Sequence, residues 1–153
     1  MRNVIIRTDG SCLNNGLEGA KGGCAICVFD AETNQLIYQR GFKPQIESFT
    51  ENRCEAAAFH AALQFISEND VKAVIQSDSK TVVDGIIGTA RRKANRDLWE
   101  PIEELFPIIG SKIVNVELIT SEENYEADKL ANQAANALFI NEEGEWLKCH
   151  KLL

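Results

Sequence analysis

Histidine, proline and methionine are scarce: the 153 residues include two, three and one of them. His60 and His150 are too few for a histidine-based metal centre, and no paired C-x-x-C halves stand in for them. Pro44, Pro101 and Pro107 are scattered rather than clustered, so no proline-rich linker divides the chain. No apolar stretch approaches the roughly 18 residues of a membrane helix, and the N-terminus shows no long apolar segment with a cleavage site. Excess positive charge is missing too. Sixteen Lys and Arg against 23 Asp and Glu leave a net charge of −7, which excludes a protein that coats nucleic acid by bulk attraction but not one with a local basic patch.

Cysteine is the exception to this scarcity. Cys12, Cys24, Cys27, Cys54 and Cys149 form an odd, irregularly spaced set, read as reduced thiols of a cytoplasmic protein rather than a disulfide framework. Cys24 and Cys27 lie in a run that reads as a strand, where their odd separation sends the two thiols to opposite faces.

With 44% hydrophobic and 25% charged residues, one compact domain is expected, over residues 1–140, followed by a tail, residues 141–153, for which no structure is predicted. The expected order is β-β-β-α-β-α-α-β-α. Val4 to Thr8 reads as a central strand followed by turn-rich residues from Asp9 to Gly16. Gly22 to Phe29 and Leu36 to Phe42 read as an antiparallel pair. From Glu51 the period becomes helical, with Thr50 as N-cap and Cys54, Ala57, Ala58, Ala61, Ala62, Phe65 and Ile66 on one face. Ala73 to Ser77 reads as a strand, Thr81 to Ile87 and Asp97 to Ile109 as helices, Ile113 to Ile119 as the last strand, and Ala127 to Leu138 as a closing helix. Strands paired first as hairpins and then alternating with helices imply an α/β fold with a mixed sheet.

Four acids narrow the chemistry. Asp9 and Asp78 are read as closing two strands which, as parallel neighbours, would present both side chains at the carboxyl end of the sheet. Glu55 and Asp128 are read as pointing along the packing faces of their helices, beside Ala58, Phe59 and Ala62 and beside Ala131 and Ala135. Converging acids on apolar faces repel one another and cost several kcal/mol unless something compensates. A divalent cation does so, and all-oxygen ligation favours Mg²⁺ or Mn²⁺. Such a crevice suits two ions about 4 Å apart acting in phosphodiester hydrolysis. Asp30, Asp70, Asp84 and Asp97 fall in turns or on polar flanks and are read as solvated.

These motifs resemble type 1 ribonuclease H, the endonuclease that cuts the RNA strand of RNA–DNA hybrids. The resemblance rests on Thr8-Asp9-Gly10-Ser11-Cys12-Leu13 with Asn15 and Gly16, on Asn52-Arg53-Cys54-Glu55-Ala56, on Ser77-Asp78-Ser79, on Asp97-Leu98-Trp99, and on Glu123-Asn124-Tyr125-Glu126-Ala127-Asp128-Lys129-Leu130-Ala131, in the family's order from Val4 to Leu138. It implies a ribonuclease H-like fold with a five-stranded mixed sheet, three antiparallel strands then parallel ones, flanked by helices. It also implies Asp9, Glu55, Asp78 and Asp128 as the metal-binding catalytic set for two Mg²⁺, with Mn²⁺ as a substitute. Substrate contacts are implied for Gly10, Ser11, Cys12, Leu13, Asn15, Thr50, Asn52, Arg53 and Ser79, some of them to the RNA 2′-hydroxyls. The expected partner is an RNA–DNA hybrid, with no membrane and a monomeric chain.

In place of the long basic protrusion of well-studied bacterial members stands only Arg91-Arg92-Lys93-Ala94-Asn95-Arg96, in which Arg91, Arg92 and Lys93 are the candidate phosphate contacts. The loop that often carries a histidine reads Thr120-Ser121-Glu122-Glu123, so Glu122 and Glu123 are the nearest groups to take its part. The alternatives are another nuclease of this fold, acting on structured or double-stranded RNA, and a non-catalytic hybrid-binding module.

Overall fold

The computed structural model of the chain describes residues 1–88, 92–137 and 145–150, the last stretch by its backbone alone. Among the described residues, six strands and four α-helices follow in the order β1 (Arg2–Leu13), β2 (Lys21–Asp30), β3 (Leu36–Phe42), α1 (Glu51–Glu68), β4 (Val71–Ser77), α2 (Lys80–Ile87), α3 (Arg96–Ile109), β5 (Ile113–Leu118), α4 (Tyr125–Asn136) and β6 (Glu145–His150). They build one mixed sheet in the order β5-β4-β1-β2-β3-β6. β1 pairs parallel with β4, and β4 with β5, while β2 and β3 form the antiparallel arm.

The five expected strands are all present. The tail adds a sixth: β6 pairs antiparallel with β3, Tyr38 opposite His150 and Gly41 opposite Leu147. Periodicity over six residues was too short a signal, whereas the open edge of β3 offers a row of unpaired backbone groups that a passing segment can take up. Leu138 and the rest of the tail lie outside the described residues.

α1 starts where expected. The Thr50 side chain accepts a hydrogen bond from the Arg53 N–H, a cap worth about 1 kcal/mol. Its small face lets Phe59, Leu63 and Ile66 reach Ile6, Ile26 and Ile75, and α2 and α3 close this larger core with Val82, Trp99 and Ile102. α4 covers the other face of the sheet, where Ala127, Leu130 and Ala131 meet Ala25, Cys27 and Phe29. It comes close because Gly23 has no side chain: a Cβ there would lie 2.2 Å from the Ala131 carbonyl oxygen. Cys24 belongs to the first core and Cys27 to the second, on opposite faces as the strand period requires. Among the described residues, no helix is long and apolar enough to cross a membrane.

Candidate functional site

Asp9 does not close its strand. β1 runs on to Leu13, with Asp9 opposite Ala25 and Cys12 opposite Gly22, because β2 supplies a partner that outweighs the turn-prone composition. Only the parallel half of the pairing ends there, at Thr8 opposite Ser77. Asp9 is therefore the first residue of β1 beyond β4, and Asp78 follows the last residue of β4, so both acids emerge where the two strands part.

Glu55 is brought to them from above. A Cβ on Gly10 would lie 2.3 Å from the Glu55 backbone nitrogen, so the missing side chain is what allows the first turns of α1 to rest on β1. Asp9, Glu55 and Asp78 each present a carboxylate oxygen, all within 4.8 Å of one another. Asp9 and Glu55 are only 3% and 5% exposed, while Asp78 is half-buried.

Asp128 departs from its expected placing. It is exposed, since Ala127, Leu130, Ala131, Ala134 and Ala135 take up the buried face of α4 and its own position lies about 100° round the helix from Ala127. Its carboxyl nevertheless acts on that of Asp9 from the solvent side, helping to push it up, while standing outside the group that Asp9, Glu55 and Asp78 form.

Burial above all, then the charges of Glu55 and Asp78, pushes the Asp9 carboxyl up to about 11. Glu55 is pushed up to about 8, chiefly by burial and further by Asp78, against the opposing effect of its hydrogen bonds with Asp9 and the Gly10 backbone. One Glu55 oxygen, Oε2, is buried without a hydrogen-bond partner. An orphaned carboxylate oxygen among acids that repel each other, with oxygen as the only donor type, fits a hard divalent cation such as Mg²⁺ or Mn²⁺.

The neighbouring motif residues divide by what already occupies them. Ser11 is buried, its hydroxyl bonded to Asn132 Oδ1 on α4, whereas Cys12 and Leu13 are partly exposed. Asn15 and Asn52 are exposed, and Asn15 Oδ1 accepts from the Glu51 N–H at 3.2 Å. Thr50 and Ser79 cap α1 and α2 with their hydroxyls. Arg53 is buried: its guanidinium donates to the Ser48 carbonyl, to Asn95 Oδ1, and to both oxygens of Asp97 at 2.9 and 2.6 Å. Asp97 is thus tied to α1 rather than simply solvated. Asp30 differs from its reading as well, since it is buried and accepts from the Arg2 side chain and from the Glu32 and Thr33 N–H groups. Arg2 was the signal that sequence distance concealed, 28 residues away on the facing strand.

Arg92 pairs with Glu103 at 3.0 Å and Arg96 with the same carboxylate at 2.5 Å, while Lys93 is exposed and Arg91 lies outside the described residues. Glu122 is exposed, and Glu123 is held in its turn by the Thr120 N–H and hydroxyl. Asn124, quoted in the last motif without a role of its own, is fully buried and donates from Nδ2 to the Thr8 carbonyl at 2.9 Å.

Known proteins resemble this chain over most of its length. The family model for RNase H matches residues 1–136. A ribonuclease H of Clostridium botulinum is 30% identical over 149 residues, covering 88% of this chain and 96% of that protein. Among solved structures, LC11-RNase H1 in complex with an RNA/DNA hybrid superposes with a TM-score of 0.73 at 22% identity, covering 87% of this chain and 96% of the other. The RNase H1 of the halophilic archaeon Halobacterium salinarum superposes with a TM-score of 0.69 at 19% identity, covering 86% and 96%.

Proposed function

Since the chain belongs to the RNase H family, we propose that it hydrolyses the RNA strand of RNA–DNA hybrids as a metal-dependent endoribonuclease, with Asp9, Glu55, Asp78 and Asp128 as its catalytic set. The observation that carries this reading is the convergence of three carboxylates within 4.8 Å, two of them nearly sealed from water and one with an oxygen lacking any partner. A structural cluster would be built from opposite charges, because buried like charges only cost stability.

In this reading Asp9 and Glu55 are the buried floor of a two-ion site, Asp78 its rim, and Asp128 its solvent-facing wall. Bound Mg²⁺ or Mn²⁺ supplies Lewis acidity, lowering the pKa of an attacking water and stabilising the leaving oxygen of the scissile phosphate. The chain does the rest by position. Asp9 and Glu55 must give up the proton their hydrogen bond holds before they can serve as ligands, which sets the acid limit of activity. Exposed Asn15 and Asn52 and the partly exposed Cys12 and Leu13 lie on the same end of the fold as the acids, free to meet the ribose edge of a hybrid. Thr50, Ser79 and Arg53, already engaged with backbone or with Asp97, act by shaping this surface and by what donors they have left.

The test is a cleavage assay of the purified protein with Mg²⁺ or Mn²⁺ on end-labelled hybrid, double-stranded RNA, double-stranded DNA and single strands, beside Asp78→Asn. Internal cuts in the RNA of the hybrid alone, lost by at least tenfold in Asp78→Asn while hybrid binding persists, are expected; a tenfold loss corresponds to about 1.4 kcal/mol of barrier. Cleavage of double-stranded RNA would favour the other nuclease reading. Hybrid binding without cleavage under either metal would leave a binding module.

A further inference from the structure

We propose that Asn124 is a positioning residue: it holds α4 on β1 so that Asp128 stays beside Asp9 when no cation is there to draw the two acids together. The inference rests on the metal-site reading above and assigns the residue that maintains it.

Asn124 occupies the N-cap of α4, a position where an asparagine side chain ordinarily accepts from its own helix. Here it makes no cap hydrogen bond. Nδ2 instead donates across to the Thr8 carbonyl, where the parallel ladder between β1 and β4 stops and directly before Asp9. Oδ1 is left buried with no partner, so the helix forgoes a cap and the interior keeps an unsatisfied acceptor. A fully buried asparagine that exchanges its local cap for one hydrogen bond to another element, at the cost of an unpaired acceptor, breaks a local rule in the way functional sites do.

The placement explains what is gained. The Asp128 N–H donates to the Asn124 backbone carbonyl at 3.0 Å, so fixing Asn124 fixes the helical turn that carries Asp128. On the far side of Asp128, Asn132 accepts from the Ser11 hydroxyl. The two links thus bracket the pair on both elements, at Thr8 and Ser11 around Asp9 and at Asn124 and Asn132 around Asp128. Asp128 is the exposed member of the set and sits on a separate helix, so repulsion among the acids would move it first.

Asn124→Ala and Asn132→Ala, alone and combined with Asp128→Asn, test this, with Ile102→Val as a core variant that destabilises the protein away from the site. The readouts are amide hydrogen exchange at the first turn of α4 in metal-free protein, Mn²⁺ affinity by calorimetry, and kcat and KM on hybrid. For Asn124→Ala we expect faster exchange in that turn, Mn²⁺ affinity and kcat each down about tenfold, and KM within about twofold. Excess metal should restore part of kcat, and in the Asp128→Asn background the further loss should vanish, since the asparagine acts through Asp128. Ile102→Val should leave metal affinity and kcat unchanged. Should Asn124→Ala fail to fold, Asn132→Ala carries the same expectations at smaller size. Losses that simply add in the double variant, or unchanged Mn²⁺ affinity, overturn the positioning role alone. Full turnover and metal affinity in Asp128→Asn itself overturn the metal-site reading and the positioning role with it.

Discussion

At the scale of single residues, Asp9 and Glu55 make stability depend on pH in a direction opposite to most surface carboxylates. Both titrate above the ordinary carboxylate range, near 11 and 8, so between about pH 4 and those values the folded chain holds protons that the unfolded chain has released. Metal-free protein must lose stability as pH rises through that window. Asp30 acts the other way: hydrogen bonds from Thr33 and Arg2 hold it down to about 2, and its contribution is lost only as pH falls from about 4 toward 2. Melting in the presence of a chelator should therefore show a falling temperature from pH 5 to pH 9, and Asp9→Asn should flatten the fall. A wild-type profile that is level or rising across that range would contradict the buried repulsion. Gly10 is the steric counterpart. Gly10→Ala would drive a Cβ into the Glu55 backbone, so a loss of about 3 kcal/mol by denaturant unfolding and a drop in turnover are expected, whereas an unchanged unfolding midpoint would mean that α1 has room to move. The convergence of Asp9, Glu55 and Asp78 was legible in the sequence because the end of the parallel β1–β4 pairing and a helical face suffice to bring them together, although β1 itself runs on past Asp9. The exposure of Asp128 and the part taken by Asn124 were not, since both depend on how α4 is rotated on the sheet.

At the scale of elements, the clip between α1 and α3 shows which long-range contacts sequence patterns conceal. Arg53 was read as a substrate contact and Asp97 as solvated, yet they form a two-pronged ion pair 44 residues apart. Asp97 is still 54% exposed, so the pair is screened and Asp97→Ala should cost only about 1 kcal/mol, the Arg53 side losing its partner while keeping Ser48 and Asn95. Strand and helix types were readable from period and capping. The extension of β1 to Leu13 and the arrival of β6 beside β3 were not, because each is decided by a partner strand rather than by local composition. Glu103 on α3 sets the reach of the basic segment, since it occupies Arg92 and Arg96 together. If that segment meets phosphates, Glu103→Gln should release two cations, tighten hybrid binding severalfold at low salt, and steepen the fall of log affinity with log salt. Arg92→Ala with Lys93→Ala should flatten it. A slope unaffected by either change would remove the segment from the substrate path.

At the scale of the whole molecule, the proposed function asks a chain of net charge −7 to accept a polyanion, so in that reading the acids that repel the substrate in the metal-free protein become its attachment point once cations are bound. The same reading links stability and charge through the proposed set of four carboxylates. Cations bind the deprotonated cluster and must displace the protons that burial favours, so their effect on folding grows with pH. At pH 5.5 the Asp9 and Glu55 carboxyls hold their protons, and saturating Mg²⁺ should raise the melting temperature little. At pH 8.5 Glu55 has passed its titration near 8 and only the Asp9 proton is left to displace, so the same Mg²⁺ should raise it by several degrees more. Calorimetry at neutral pH in buffers of different ionisation enthalpy should also show protons released as the cation binds. An equal melting shift at both pH values, with no proton release, would mean that the cation sits elsewhere on an acidic surface and that Asp9, Glu55 and Asp78 converge without holding it.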